Sequence, residues 1–160
     1  MKATKRLRNA LAAAAAGAFI VCALGVTPAL AEENGIEITP RDAVDHPVNF
    51  TLNFWASSDW TNPETKDHDW STYVYAQEMG IHQCRLEVWG SKDWNGYFTN
   101  RTDQGHATLK SRGEFLIDQW VYENGERWAK LKGLYNGYDG YVKGLWSADG
   151  IDYGFDRING

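Results

Sequence analysis

Beyond residue 31, no stretch of this chain repeats its apolar side chains every three to four residues. They recur every second residue, in short runs cut by Asn-Gly and Asp-Gly pairs. A period of two marks a strand with one face buried, so the chain has to build sheets rather than helices. Val48, Phe50, Leu52 and Phe54 alternate with Asn49, Thr51 and Asn53 and form the clearest such strand. Residues 56–69 are polar and turn-forming and read as one long loop, of the kind that is often functional. Thr72 to Ala76 is β-branched and aromatic, with Tyr73 and Tyr75 on one face. Cys84, Leu86 and Val88 alternate with Arg85, Glu87 and Trp89, which places the cysteine in an inward set as a small hydrophobe. Ala107–Leu109, Phe115–Tyr122, Trp128–Leu131 and Gly140–Trp146 are further strands, with Ile151–Phe155 as one more candidate. Asn124-Gly125 between two apolar runs predicts a hairpin. Six to eight short strands at this spacing predict an all-β fold, a single antiparallel β-sandwich or barrel-like domain over residues 48–160.

Residues 1–31 are written differently. Lys2, Lys5, Arg6 and Arg8 precede an apolar run to Val26, and Ala29-Leu-Ala31 closes the segment. A basic head, a short apolar middle and a small-x-small end form a secretory signal peptide cleaved after Ala31, so the protein is expected to be secreted and extracellular. Residues 32–47 are charged and without period, and Pro40 argues against a helix, so they read as a flexible leading segment. Residues 32–160 then carry twelve basic against twenty-one acidic side chains, a net charge of −9. That sign argues against nucleic acid and anionic lipid as partners, because both select surfaces dense in Lys and Arg. No second apolar stretch approaches the roughly 20 residues of a membrane-spanning helix. Cys22 lies within the signal, which leaves Cys84 alone and no intramolecular disulfide to form. Apolar burial has to hold the core instead, and all eight tryptophans, all eight tyrosines and five of six phenylalanines lie beyond residue 31.

The sequence has no metalloprotease helix motif, no Gly-x-Ser-x-Gly elbow, no phosphate loop and no Cys–His pairing at a known spacing, so no enzymatic activity is expected. Asp67-His68-Asp69 lacks the alternating ligands and distal carboxylate of a calcium loop and reads as a solvated loop, so no metal or other cofactor is expected. Asp118 with Glu123, and Asp149 with Asp152, are pairs that a glycosidase would need across a cleft, but their setting beside Asn-Gly and Asp-Gly is that of turns. The tryptophans carry the stronger signal. Trp55-Ala-Ser-Ser-Asp-Trp60 is echoed by Trp89-Gly-Ser-Lys-Asp-Trp94. Trp55 and Trp89 fall opposite the inward Phe54 and Val88, and Trp60 and Trp94 fall in loops. Exposed rings beside loop amides and carboxylates offer a sugar or peptide a face to stack on and groups to orient it. Trp55, Trp60, Trp89 and Trp94 are therefore the candidate ligand-binding residues, with a cell-wall glycan or peptide, or a surface protein, as partner. The alternative is that a second layer covers these rings as ordinary core.

Ser71-Thr-Tyr-Val-Tyr75, Leu86-Glu-Val-Trp-Gly90, Asn100-Arg-Thr102, Val121-Tyr-Glu-Asn-Gly125, Ala129-Lys-Leu-Lys-Gly133 and Gly144-Leu-Trp-Ser-Ala-Asp149 together resemble an uncharacterised family of short secreted proteins of Gram-positive bacteria. The resemblance implies a signal peptide, a β-rich domain and, for some members, a place beside bacteriocin export systems. It transfers no catalytic residue, and Ala148 stands where the family tends to have proline. Thr108–Phe115, Gly125–Leu131 and Gly140–Trp146 resemble the later strands of bacterial SH3-like domains, which implies binding of cell-wall peptides. That likeness covers only residues 84–146, and the Asn-x-Arg motif of those domains is missing from its place. Two functions follow as expectations: a secreted, non-catalytic β-domain that binds cell-wall or surface ligands, or a bacteriocin-like secreted effector or accessory protein.

Overall fold

The alternation in sequence becomes an alternation in burial. In β1 (His46–Leu52), Val48, Phe50 and Leu52 are buried while Pro47, Asn49 and Thr51 are exposed. The same period runs through β5 (Cys84–Ser91), β9 (Trp128–Leu134) and β10 (Gly140–Ser147), whose inward residues include Leu86, Val88, Leu131, Val142 and Trp146. The remaining strands are β2 (Ser58–Trp60), β3 (Glu64–Thr65), β4 (Thr72–Met79), β6 (Thr99–Asn100), β7 (Ala107–Leu109), β8 (Gly113–Ile117) and β11 (Asp156–Arg157), with a short 3₁₀ turn at Asp103–Gly105. This computed structural model describes residues 45–159. The signal-peptide reading of 1–31, and the leading segment up to residue 44, lie outside the described residues; His46 and Pro47, assigned to that segment, belong to β1.

The strands form two sheets, as expected of a β-sandwich. One is five-stranded in the order β1-β10-β4-β8-β11; the other is six-stranded, with β2-β9-β5-β6 as its path, β3 beside β9 and β7 beside β5. All pairings are antiparallel except β11 with β8. A common core of Val48, Phe50, Val74, Leu86, Val88, Leu131 and Trp146 fills the space between the sheets. Packing there is close enough that Gly133 has a specific reason: a Cβ on it would lie 2.6 Å from the Phe50 ring. Strand β1 ends one sheet, and Thr51 gives its N–H to Asp59 Oδ2 at 3.1 Å instead of to a strand. Alternate residues share that outward direction, so Pro47 sits where the edge would otherwise show an unpaired donor.

Several expectations need correction. Phe54 does not continue the inward set: β1 stops at Leu52, and the Asn53 side chain accepts the N–H groups of Trp55 (2.9 Å) and Ala56 (2.7 Å), turning the chain so that Phe54 is 65% exposed. Residues 56–69 are not one loop, since β2 and β3 both pair with β9. The strand expected to reach Tyr122 ends at Ile117. Asn124-Gly125 does make a turn, with Gly125 at φ +71°, but β8 pairs with β4 while β9 pairs with β5, so the connection crosses between sheets and is no hairpin. Ile151–Phe155 is not a strand; Phe155 instead lies 6.0 Å from Tyr73 on the outer side of β4. Tyr73 thus points away from the core that Val74 and Ala76 enter.

Cys84 is fully buried, and burial pushes its thiol from 9.0 up to about 11. The folded thiol keeps its proton where an unfolded one ionises, so its contribution is whole below pH 9.0 and is lost as pH rises through about 11. That difference is worth about 3 kcal/mol. Urea unfolding at about pH 8 and about pH 11 is expected to show a smaller alkaline loss of stability in Cys84→Ala than in the wild type. Equal losses would show that the thiol does not ionise on unfolding.

Candidate functional site

Three loops meet at the end of the sandwich where β4 begins and β8 and β10 finish: residues 66–71, 118–127 and 148–155. A buried ion pair ties the first to the third. Lys66 is 0% exposed, and its ammonium donates to the Trp70 carbonyl and to Asp149 Oδ1. The other Asp149 oxygen accepts the Asp67 N–H at 2.7 Å. Burial draws the Lys66 ammonium below its usual range, and the hydrogen bond to Asp149 opposes this. Gln119 adds the second loop by donating to the Trp70 carbonyl at 2.9 Å. Trp70 therefore has a fixed backbone, and the His68 ring stacks against its indole at 4.2 Å.

Outside this plug lies a cleft of about 620 Å³, lined by Trp70, Trp120, Asp118, Glu123, Asp152 and Arg157 among others. Trp70 is 37% exposed and Trp120 51%. Trp120 is held by its own N–H to the Arg101 carbonyl at 2.9 Å and by its indole N–H to Asp103 at 3.4 Å. Arg157 spans one wall: it donates to Asp118, to Ser71 Oγ at 2.9 Å and to Asp152 at 2.8 Å. Asp152 also accepts the Gly154 N–H at 2.8 Å, which together with Arg157 holds its carboxyl below the usual range. Counting Asp69 and Asp103, five carboxylates face the single guanidinium. The cleft thus offers two flat apolar faces and an excess of acceptors, the equipment for hydroxyl or ammonium groups on a ligand that also has an apolar face.

The four tryptophans expected to bind ligand do not lie together. Trp60 and Trp89 meet on the outer face of the six-stranded sheet, edge to face with centroids 5.2 Å apart, because β9 sits between β2 and β5. Trp60 is in a strand, not a loop. The Lys132 ammonium lies 4.6 Å from the Trp60 ring and 4.8 Å from Trp89, and Lys130 lies 4.2 Å from Trp60 and from Phe98. Glu87 accepts the Trp89 indole N–H at 2.8 Å. Trp94 follows Ser91, which pairs with Trp128 at the start of β9, whereas Trp55 precedes Ser58, which pairs with Leu134 at its end. They occupy opposite ends of the sandwich. Of the acidic pairs, Asp118 and Glu123 both line the cleft, whereas Asp149 is buried on Lys66 and Asp152 joins Asp118 on Arg157. Trp70 and Trp120, which no motif or spacing joins, are the pair that lines a cleft.

Among the described residues, no group of three or more His, Cys, Asp or Glu is arranged to hold a metal ion, and no helix is long and apolar enough to cross a membrane. No curated protein and no solved structure matches the chain. A family described as protein of unknown function, DUF2712, matches residues 41–150, a span that holds Trp70, Trp120, Lys66 and Asp149. With more than half its length matched, the chain belongs to DUF2712, a family whose function is uncharacterised.

Proposed function

We propose that this domain is a secreted, non-catalytic binding module that takes a cell-wall glycan or peptide in the cleft lined by Trp70 and Trp120. The observation that carries the reading is the pair of exposed indoles on a cleft of about 620 Å³ whose polar groups are fixed by the Lys66–Asp149 plug and by Arg157. A sugar ring stacks on an indole face through its C–H groups while its hydroxyls reach carboxylates, and the amino groups of wall glycans and peptides suit the acidic excess. The signal-like order of residues 1–31 and the net charge of −9 beyond it fit a released protein with a neutral or cationic ligand. The outer face around Trp60 and Trp89 is the poorer stacking surface, because Lys130 and Lys132 already lie over those rings.

Purified protein mixed with insoluble cell-wall sacculi is expected to pellet with them. Trp120→Ala should weaken retention by about tenfold or more, equivalent to about 1.4 kcal/mol. Because Trp120 is half exposed, its thermal unfolding should stay near that of the wild type. Trp60→Ala should pellet as the wild type does. Absence of retention, together with growth inhibition of related strains by the same protein, would replace this reading with that of a bacteriocin-like effector.

A further inference from the structure

The plug beneath the cleft is also a pair of reactants. Lysine is almost never wholly buried without a partner. Lys66 is 0% exposed, and its ammonium rests on Oδ1 of Asp149, a side chain itself only 8% exposed. As a source of stability such a pair is weak, since apolar side chains of the same volume do as well or better. Holding an amine and a carboxyl in contact out of water has a second consequence, which is chemical. Groups fixed in contact react as if at very high concentration, and the water that would reverse their condensation is kept away. Burial also draws the Lys66 proton affinity down, and a lysine that gives up its extra proton is a nucleophile.

We infer that Lys66 and Asp149 condense into an intramolecular isopeptide bond between Lys66 Nζ and Asp149 Cγ. The ion pair is the reactant state. Proton transfer within it gives an amine and a carboxylic acid. Nζ then attacks Cγ, the Cγ–Oδ1 bond breaks, one N–H proton follows the departing hydroxyl, and one water leaves towards the cleft. No oxidant or other co-reactant is consumed. The carboxylates of Glu123 and Asp69, whose charges act on Lys66 and which border the cleft, can relay that proton. The hydrogen-bond partners already present suit the product. Asp149 Oδ2, which becomes the amide oxygen, accepts the Asp67 N–H at 2.7 Å, and the same donor steadies the charge this oxygen gains during attack. The Trp70 carbonyl, which accepts from the ammonium, is in place for the one N–H left on Nζ. Both polar groups of the new amide thus keep a partner. Lys66 follows β3 of the six-stranded sheet and Asp149 follows β10 of the five-stranded one, 83 positions away, so the bond ties the two sheets covalently. With one cysteine beyond residue 31, no intramolecular disulfide does this. Variants lacking either side chain lose the bond together with the ion pair, and those that keep Lys66 also bury an unpaired ammonium. The bond does not depend on what the cleft binds.

The test is intact-mass spectrometry of the purified, folded protein, denatured for the measurement, beside Lys66→Met and Asp149→Ala. The wild type is expected to weigh one water less than its sequence requires. A protease digest of it should contain a branched fragment in which the segment around Lys66 is joined to the segment around Asp149. Both variants should show their full mass and no such fragment. The wild-type fragment is read directly, whether or not either variant folds. Wild-type protein of full mass, without the branched fragment, would overturn the inference. So would a loss of water that persists in Lys66→Met, because it would place the condensation in the Asp149-Gly150 backbone as a succinimide. The structure opposes that course by committing the Gly150 N–H to the Ser71 carbonyl at 2.8 Å.

Discussion

Asp149→Ala is expected to destabilise the protein by about 3–5 kcal/mol, because it removes one half of a buried ion pair and leaves the other half in place. Lys66 is wholly buried, and its remaining acceptor would be the Trp70 carbonyl. The variant also strands the Asp67 N–H that now bonds to the same carboxylate. Removing both charges should cost less than removing one, so Lys66→Met/Asp149→Ala is expected to recover a substantial part of the loss. Burial already lowers the Lys66 proton affinity, and without Asp149 only the charges of Glu123 and Asp69 oppose that pull. An unfolded lysine holds its proton up to about 10.5, so the deficit of Asp149→Ala should shrink as pH rises toward that value. Urea denaturation of the three proteins decides the matter; a cost below about 1 kcal/mol for the single variant would show that the ammonium finds water or another acceptor. The consequence reaches the cleft, since the same plug fixes the backbone of Trp70.

Trp146→Ala should be comparably severe. Trp146 is the largest fully buried side chain and packs in the shared core from β10, paired with His46 on one side and Val74 on the other. Truncating a buried tryptophan costs about 3–5 kcal/mol, from lost apolar transfer and from the cavity left behind. Its indole Nε1 is buried with no hydrogen-bond partner among the described residues. An unmet buried donor carries a penalty of about 1–3 kcal/mol, so Trp146→Phe removes a liability along with some volume. Thermal unfolding is expected to rank the wild type and Trp146→Phe close together, with Trp146→Ala far below. A Phe variant as damaged as the alanine variant would mean that the N–H is satisfied.

The strands that were legible in the sequence are those that bury one face along their whole length. Val48-x-Phe50-x-Leu52, Cys84-x-Leu86-x-Val88 and Ala129-x-Leu131 each record a half-buried strand in a period of two. β2, β3, β6 and β11 are only two or three residues long, and they exist because a neighbour offers a ladder, so their own residues carry no period. Asn124-Gly125 specified a turn, which Gly125 makes, but a local turn signal does not say which sheet receives the next strand. The echo between 55–60 and 89–94 misled for the same reason. Asp59 accepts from Thr51 beside an edge strand, while the Asp93 carbonyl accepts from Ser91 and Gly96 within its own turn. Like letters therefore sit in unlike places. The cleft was least legible of all, because Ser71 and Asp118, 47 positions apart, meet only through the pairing of β4 with β8.

The most direct measurement is a titration of soluble cell-wall fragments, released by muramidase digestion, into ¹⁵N-labelled protein while the eight tryptophan indole N–H resonances are followed. The cleft account predicts progressive shifts of the Trp70 and Trp120 signals, assigned through Trp70→Phe and Trp120→Phe, with Trp146 and the Trp60–Trp89 pair unmoved. Shifts confined to Trp60 and Trp89, or no shift in any indole at saturating fragment, would contradict it.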